Sequence, residues 1–215
     1  MRLVLDHLAL VTADLDAGAD WARELLGVDM TVGGAHPKMG THNRLTRTGA
    51  ENFIEIIAID PEQADPGRKR WYRMDDPVVH EMTKTAPRPL SWIVATDDLD
   101  AVLGAARDLG LDLGRPVQVS RGDLIWRIAV RDDGDLPEGG TLPVFIQWPE
   151  GPHPAMRMPD LGLSISKLIL RHPEPDRLDR LLSALGVRDM VQLEAGRAGI
   201  AVEISRSDGP SVLID

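Results

Sequence analysis

Apolar and polar positions alternate along residues 3–11, LVLDHLALV, with many Val and Leu residues, a pattern that predicts a β-strand. The period then lengthens to that of an amphipathic helix, which we expect to begin at a cap on Thr12 or Asp14 and to run to Leu26. Gly27 is placed to end this helix. Three further strands are predicted at 29–33, 41–48 and 53–60. The beginning of the chain therefore has the order βαβββ.

The same order returns later in the chain. The segment LALVTADLDAGADWARELLGVDM from Leu8 matches WIVATDDLDAVLGAARDLGLDL from Trp92, with Thr12 aligned on Thr96. Such repeats indicate duplicated structural units. The second unit is predicted to contain a strand at 90–96, a helix at 98–109, and strands near 115–120, 124–131 and 142–148.

A fainter third copy covers 162–215, and it again reads βαβββ. A charged linker with a short helix from about Pro77 to Thr85 joins the first two units. We therefore predict an α+β protein with one domain at 1–155, made of modules 1–60 and 89–149 and the linker 61–88, followed by a smaller βαβββ-like module at 160–215.

Composition narrows the classes of function. The 215 residues carry a net charge of −10, which argues against nucleic acid or an anionic membrane as the partner. Cysteine is absent, which excludes disulfides and thiolate chemistry. No apolar run approaches the length of a membrane span, and the N-terminal segment does not read as a signal peptide. We expect a soluble, cytoplasmic protein.

Four phrases carry a family resemblance: LDHLALVTADLD, GGAHPKMGTHNRL, FIEIIAID and LPVFIQWPEGPHP. Together with the paired βαβββ modules they resemble the glyoxalase-like branch of the vicinal oxygen chelate superfamily, over roughly residues 3–155. The resemblance implies that the two modules form a curved mixed sheet around a cleft, with metal ligands on the first and fourth strand of each module.

Carried over to this chain, the resemblance gives His7 and Glu55 as metal ligands. Ser91 and Gln147 stand at the matching positions of the second module, so one ligand is lost and one is weak. Imidazole with carboxylate suits a divalent Zn, Fe, Mn or Ni ion. The alternative is a structural His–Glu pair that holds no metal.

Alternation within strands assigns side chains to the cleft. In the strand 124–131 the apolar set with Trp126 and Ile128 predicts the side that packs on helices, which leaves Arg127 in the cleft. The repeat extends this assignment to the strand 41–48. The polar residues thus predicted to face the cleft are His7, His42, Arg44, Glu55, Arg127 and Gln147.

Roles follow from this placement. Glu55 or His42 would move a proton, while Arg44, Arg127 and Gln147 would bind a substrate with a carboxylate or phosphate. The alternatives are a strand histidine bonded to a backbone carbonyl, and arginines that are ordinary surface charges. The run KRWYRMDD, residues 69–76, is read either as a lid over the pocket or as packing of the linker.

Two functions remain. The first is a glyoxalase-like enzyme, with lyase, isomerase or dioxygenase chemistry open, that acts on a small oxygenated, anionic metabolite with a divalent metal as Lewis acid. The second is a metal-free protein that binds or sequesters a small molecule in the same cleft. We expect a small-molecule partner and a homodimer, and neither nucleic acid nor a membrane.

Overall fold

The computed structural model describes residues 1–215 and contains both predicted modules. The first module has the elements β1 (Leu3–Val11), α1 (Leu15–Leu26), β2 (Thr31–His36), β3 (Thr41–Arg47) and β4 (Phe53–Ile59). The linker holds a 3-10 turn (Trp71–Arg73) and α2 (Pro77–Met82). The second module has the elements β5 (Arg88–Thr96), α3 (Leu99–Asp108), β6 (Arg115–Arg121), β7 (Leu124–Val130) and β8 (Val144–Gln147).

The helices α1 and α3 each begin at an aspartate cap, and a glycine ends α1. Oδ1 of Asp14 accepts the backbone N–H of Ala17 at 2.8 Å and caps α1, and Asp98 caps α3 in the same way. Gly27 ends α1 in the left-handed conformation at φ 74°, which a glycine adopts without steric cost. No helix is long and apolar enough to cross a membrane.

The two modules form one curled, eight-stranded mixed sheet in the order β2-β3-β4-β1-β5-β8-β7-β6. In each module the fourth strand lies parallel to the first, and the antiparallel pair β1–β5 joins the modules. Curling brings the edge strands together, since the side chain of Arg121 in β6 reaches Gly34 in β2. The sheet is therefore a half-barrel, which confirms the predicted curved mixed sheet of an α+β protein.

The two faces of the sheet carry different apolar clusters. The outer face, with Leu8, Ile54 and Trp92, packs under α1, α3 and the C-terminal unit. The inner, concave face, with Ile57 and Ile128, packs around residues of the linker. Both faces are thus buried along much of the sheet.

The C-terminal unit contains β9 (Leu163–His172), α4 (Pro175–Ala184), β10 (Gln192–Ala195), β11 (Gly199–Arg206) and β12 (Gly209–Ile214). Its element order is the predicted βαβββ, but its sheet runs β10-β9-β11-β12, with β10 parallel to β9. In the first two modules the fourth strand lies next to the first instead. The third unit therefore has the same order of helices and strands as the first two modules but a different arrangement of strands in its sheet.

The third unit packs on the half-barrel and does not stand apart. Leu168 and Leu178 belong to the same apolar cluster as Trp92 of β5. At the edge of this contact Glu138, in the loop before β8, accepts both arms of the Arg177 guanidinium. The C-terminal sheet therefore covers outer-face residues that would otherwise be exposed.

Candidate functional site

His7 lies at the centre of the half-barrel, on the inner face of β1. Its Nδ1 lies 2.5 Å from Oδ1 of Asp6, and its Nε2 lies 3.6 Å from Oε2 of Glu55 on the neighbouring strand β4. The imidazole stacks on the ring of Phe53, with a centroid distance of 4.5 Å. All four side chains are buried. An irregularity in the β1–β5 ladder between Leu5 and His7 accompanies the turn of Asp6 towards its neighbour's ring.

The charges of this group depend on one another. Burial alone would lower the pKa of His7, but the hydrogen bond to Asp6 and the nearby carboxylate of Glu55 raise it to about 9. Burial would raise the pKa of both carboxyl groups, yet their bonds to His7 and other donors hold each pKa below its ordinary value. At neutral pH the group is therefore an imidazolium between two carboxylates.

Glu55 is held from its other side by an amide that sequence reasoning missed. Nδ2 of Asn43 in β3 donates to Oε1 of Glu55 and lies 3.4 Å from Nε2 of His36. Burial lowers the pKa of His36 to about 4, so this imidazole is neutral. Gly33 makes room for the amide, since a Cβ there would lie 1.8 Å from Oδ1 of Asn43.

Asp6 also has partners from the end of the second module. The indole Nε1 of Trp148 donates to Oδ2 of Asp6 at 2.6 Å, and Nε2 of His153 lies 3.0 Å from the same oxygen. In the sequence, Asp6 gave no signal beyond its place next to His7. For His153, in EGPHP, the sequence left two interpretations, a residue that closes the end of the cleft or an ordinary loop residue.

A small cavity lies against His7 and Glu55. Its volume is about 20 Å³, which is room for one water-sized group. The chain has only eight Phe, Trp and Tyr residues, and five of them line this cavity. The lining residues other than His7 and Glu55 are His36, Phe53, Trp71, Tyr72, Arg121, Trp126, Ile128, Ile146 and Trp148. The site is therefore a pocket with mostly aromatic walls and three charged side chains, those of His7, Glu55 and Arg121.

The linker packs onto the inner face of the half-barrel, and two residues of its run KRWYRMDD line the pocket. Trp71 and Tyr72 are buried against the inner face. Tyr72 and Arg73 have φ of 56° and 57°, a left-handed conformation that costs a non-glycine residue roughly 1–2 kcal/mol. The turn is held by the ion pair of Arg70 with Asp75 and by the bond from the Arg73 N–H to the Gly134 carbonyl.

The two arginines predicted to bind substrate point away from this pocket, so that placement is wrong. Nη2 of Arg44 donates to Asp16 in the first turn of α1 at 3.1 Å. Arg127 forms the equivalent pair with Asp100 in the first turn of α3 at 2.9 Å. The sequence repeat is real, but its two arginines tie the outer face of the sheet to the helices.

His42 and Gln147 are also outside the cavity, against prediction. Nδ1 of His42 lies 3.8 Å from Oδ1 of Asp60, and the residue lines a surface depression beside the start of α1. Gln147 accepts a bond from Arg127 and donates to the backbone carbonyl of Asp97. Neither side chain contacts His7 or Glu55.

The assignment failed because apolar residues are not confined to the helix side of this sheet. Trp126, Ile128 and Val130 face inward, where the linker buries them against Trp71 and other residues. Polar residues of the opposite parity on β3 and β7 pair with the helix ends on the outer face. Where both faces of a strand are covered, alternation cannot decide which face is which.

The donor set does not fit a four-ligand metal centre. In the sequence repeat, Ile93 of β5 is equivalent to Ala9 of β1. Ala9 pairs with Glu55 on the neighbouring strand β4, whereas Ile93 pairs with Val144 on β8. The fourth position is therefore Val144, not Gln147, and Ser91 takes the place of His7. A valine has no donor atom and a neutral serine hydroxyl is a poor one, and no group of three or more His, Asp or Glu side chains is arranged to hold an ion.

Comparisons with known proteins agree with the fold. The family model described as "Glyoxalase-like domain" matches residues 5–186. A hypothetical protein from Staphylococcus aureus is similar in structure over 100% of this chain and 86% of its own, with a TM-score of 0.64 and 20% identity. No curated protein sequence matches significantly.

Two methylmalonyl-CoA epimerases resemble the chain more weakly. One, from Mycobacterium tuberculosis, has 21% identity and a TM-score of 0.44 over 69% of this chain and 88% of its own. The other, solved with methylmalonyl-CoA and NH4+, has 18% identity and a TM-score of 0.46 over 70% and 97%. The family match over most of the chain decides the classification: the chain belongs to the glyoxalase-like domain family.

Proposed function

We propose that this protein is a glyoxalase-superfamily enzyme that transfers a proton on a small oxygenated molecule. One observation carries the proposal: an imidazolium and a carboxylate, His7 and Glu55, are both buried and lie together at a small cavity. Buried titratable groups with opposite shifts in pKa are the usual composition of an acid–base site. This proposal develops the first of the two functions inferred from the sequence, the glyoxalase-like enzyme.

Glu55 is assigned the role of base. Its carboxylate stays ionised because His7 and Asn43 stabilise the negative charge. It would accept a proton from a carbon next to a carbonyl group; the electron pair of that C–H bond would form a C=C bond, and the π pair of the carbonyl would move to its oxygen. A low pKa makes the carboxylate a weak base, so the step depends on stabilisation of the oxygen that becomes negative.

His7 is assigned that stabilising role. Its protonated Nε2 is the group available to donate to the developing oxyanion, while Nδ1 is held by Asp6. Asp6 thereby fixes the orientation of the ring, with Trp148 and His153 fixing Asp6 in turn. No step is assigned to a metal, because the residues at the four family positions do not provide a ligand set.

Hydrogen–deuterium exchange tests the proposal. Small oxo acids and hydroxy ketones are incubated with the protein in D2O, and loss of the proton next to the carbonyl is followed by NMR. We expect catalysed exchange that falls at least a hundredfold in Glu55→Gln, in line with removal of a general base. Asp16→Asn, on the outer face, is the matched control and should keep full activity.

Two results would reject the enzyme proposal. The first is the absence of exchange with every compound of the panel, and the second is full exchange in Glu55→Gln. Saturable binding of a panel compound without exchange would favour the second function, a binding protein. That alternative is supported by Ser91 and Val144, which leave the second module without ligands or acid–base groups at the equivalent positions.

A further inference from the structure

Arg121 reaches the site from the opposite edge of the sheet. It is the last residue of β6, and its stem crosses to β2 over Gly34, where an added Cβ would lie 3.0 Å from Cγ of Arg121. A side chain at position 34 would crowd this path, and φ of 142° there is a conformation that residues other than glycine rarely adopt. The side chain of Arg121 lines the cavity with His7 and Glu55.

The guanidinium of Arg121 forms no ion pair or hydrogen bond with the protein, although it is partly buried. The carboxylates of the site are engaged elsewhere: Glu55 with Asn43 and His7, and Asp6 with His7, Trp148 and His153. Arg44 and Arg127, in contrast, each have an aspartate partner. A partly buried guanidinium without a protein partner is suited to an anion that comes from outside.

A second donor without a partner belongs to Trp71, a residue that lines the same cavity. The indole Nε1 of Trp71 is buried and has no acceptor within hydrogen-bond distance. Buried donors in folded proteins are nearly always paired, so an unpaired one next to a cavity marks a place for an acceptor atom. A ligand with an anionic oxygen could pair with the guanidinium of Arg121 and accept a hydrogen bond from the indole of Trp71.

We propose that Arg121, with Trp71, binds the carboxylate of a small planar acid whose body lies against the aromatic walls of the cavity. This inference rests on the proposed function in that it names the substrate class of the same site. It keeps the anionic substrate that the sequence suggested but moves its recognition from Arg44 and Arg127 to Arg121. Flat groups stack on Trp126 and Trp148 without the ordering cost of a flexible chain.

The present cavity admits only a water-sized group, so the acid enters when the turn at Trp71–Arg73 moves outward, and Trp71 donates to the carboxylate once the turn has closed over the bound acid. The other cavity-lining residues lie on strands or, for Trp148, directly after β8. The turn is connected by a linker and carries two residues with positive φ. It is therefore the part of the lining that can be displaced without breaking the sheet.

Binding of benzoate and of its neutral analogue benzamide tests the proposal, by calorimetry on the full-length protein. We expect saturable binding of benzoate and at least tenfold weaker binding of benzamide. Arg121→Gln should weaken benzoate binding at least tenfold, and Arg121→Lys should restore part of the loss, because an ammonium keeps the charge without the fork. Arg127→Gln is the matched control and should bind benzoate like the wild type.

The proposal is overturned if wild type shows no saturable benzoate binding, if benzamide binds as tightly, or if Arg121→Gln retains full affinity. Thermal melts of each variant separate loss of binding from loss of fold. Benzoate has no acidic carbon-bound proton, so its binding is independent of the proposed chemistry. Benzoate binding through Arg121 in a protein that catalyses no exchange would leave this inference standing and reject the enzyme proposal alone.

Discussion

Nε2 of His7 lies 3.6 Å from Oε2 of Glu55, across two parallel neighbouring strands in the interior of the half-barrel. The two residues come from opposite ends of the first module, and their meeting depends on the place of β4 next to β1. Their charges are complementary and buried. This pair is the reason that an otherwise apolar strand, FIEIIAI, carries a carboxylate.

Stability should depend on the protonation of His7. Its pKa of about 9 in the folded state lies above the ordinary 6.5, so the protonated ring stabilises the fold below about pH 6.5. We expect this contribution, about 3 kcal/mol, to be lost as the pH rises from about 6.5 through 9, because the unfolded state gives up its proton first. Urea denaturation across this range measures the loss. His7→Gln should remove the slope, and an unchanged slope in that variant would reject the assignment.

Asp6→Asn should destabilise the protein by about 3 kcal/mol, because it removes the charge that His7, Trp148 and His153 all contact. Chemical denaturation measures the effect. The control is Asp108→Asn on the exposed side of α3, where we expect a change within about 0.5 kcal/mol. Similar effects of the two substitutions would mean that the Asp6 network does not stabilise the fold.

The ion pair of Arg127 with Asp100 should contribute little to stability. Both side chains are substantially exposed, and exposed pairs contribute about 0.2–1 kcal/mol in double-mutant cycles. We therefore expect a coupling energy below about 1 kcal/mol between Arg127→Gln and Asp100→Asn. The single variants should also leave any activity of the His7–Glu55 site unchanged. A tenfold loss of substrate binding in Arg127→Gln would contradict its place on the outer face.

The turn over the cavity gives a prediction about backbone strain. Arg73 has φ 57°, so Arg73→Gly relieves a left-handed conformation while Arg73→Val, with a branched side chain, worsens it. We expect the glycine variant to be more stable than the valine variant by about 1–2 kcal/mol in thermal or chemical denaturation. The same pair of substitutions at Arg115, an exposed residue of β6, is the control and should give the opposite order, since strands favour valine.

The C-terminal unit should be required for a soluble half-barrel. Deletion of 160–215 would expose Trp92 and its neighbours on the outer face, which now pack against Leu168 and Leu178. We expect the truncated chain to aggregate and the full chain to unfold in one transition, because the core is shared. A soluble truncated protein with the melting temperature of the full chain would show that the two parts are independent.

Local patterns in the sequence determined the elements and their duplication. The caps at Asp14 and Asp98, the glycine after α1 and the strand patterns depend on residues within a few positions of each other, so they are visible in the chain itself. The aligned Thr12 and Thr96 also identified the equivalence of the two modules. His7 and Glu55 followed from the family resemblance and from strand alternation, which assigned both side chains to the cleft.

Only the tertiary structure decided which way the other polar residues face. The inner surface of the sheet is covered by Trp71 and Tyr72 of the linker, so both faces are apolar and alternation assigned β3 and β7 to the wrong sides. Asn43 and Arg121 enter the site through the curl of the sheet and through space left by Gly33 and Gly34. These contacts join residues far apart in the chain, and their geometry is fixed by strand register and sheet curvature, which no local pattern specifies.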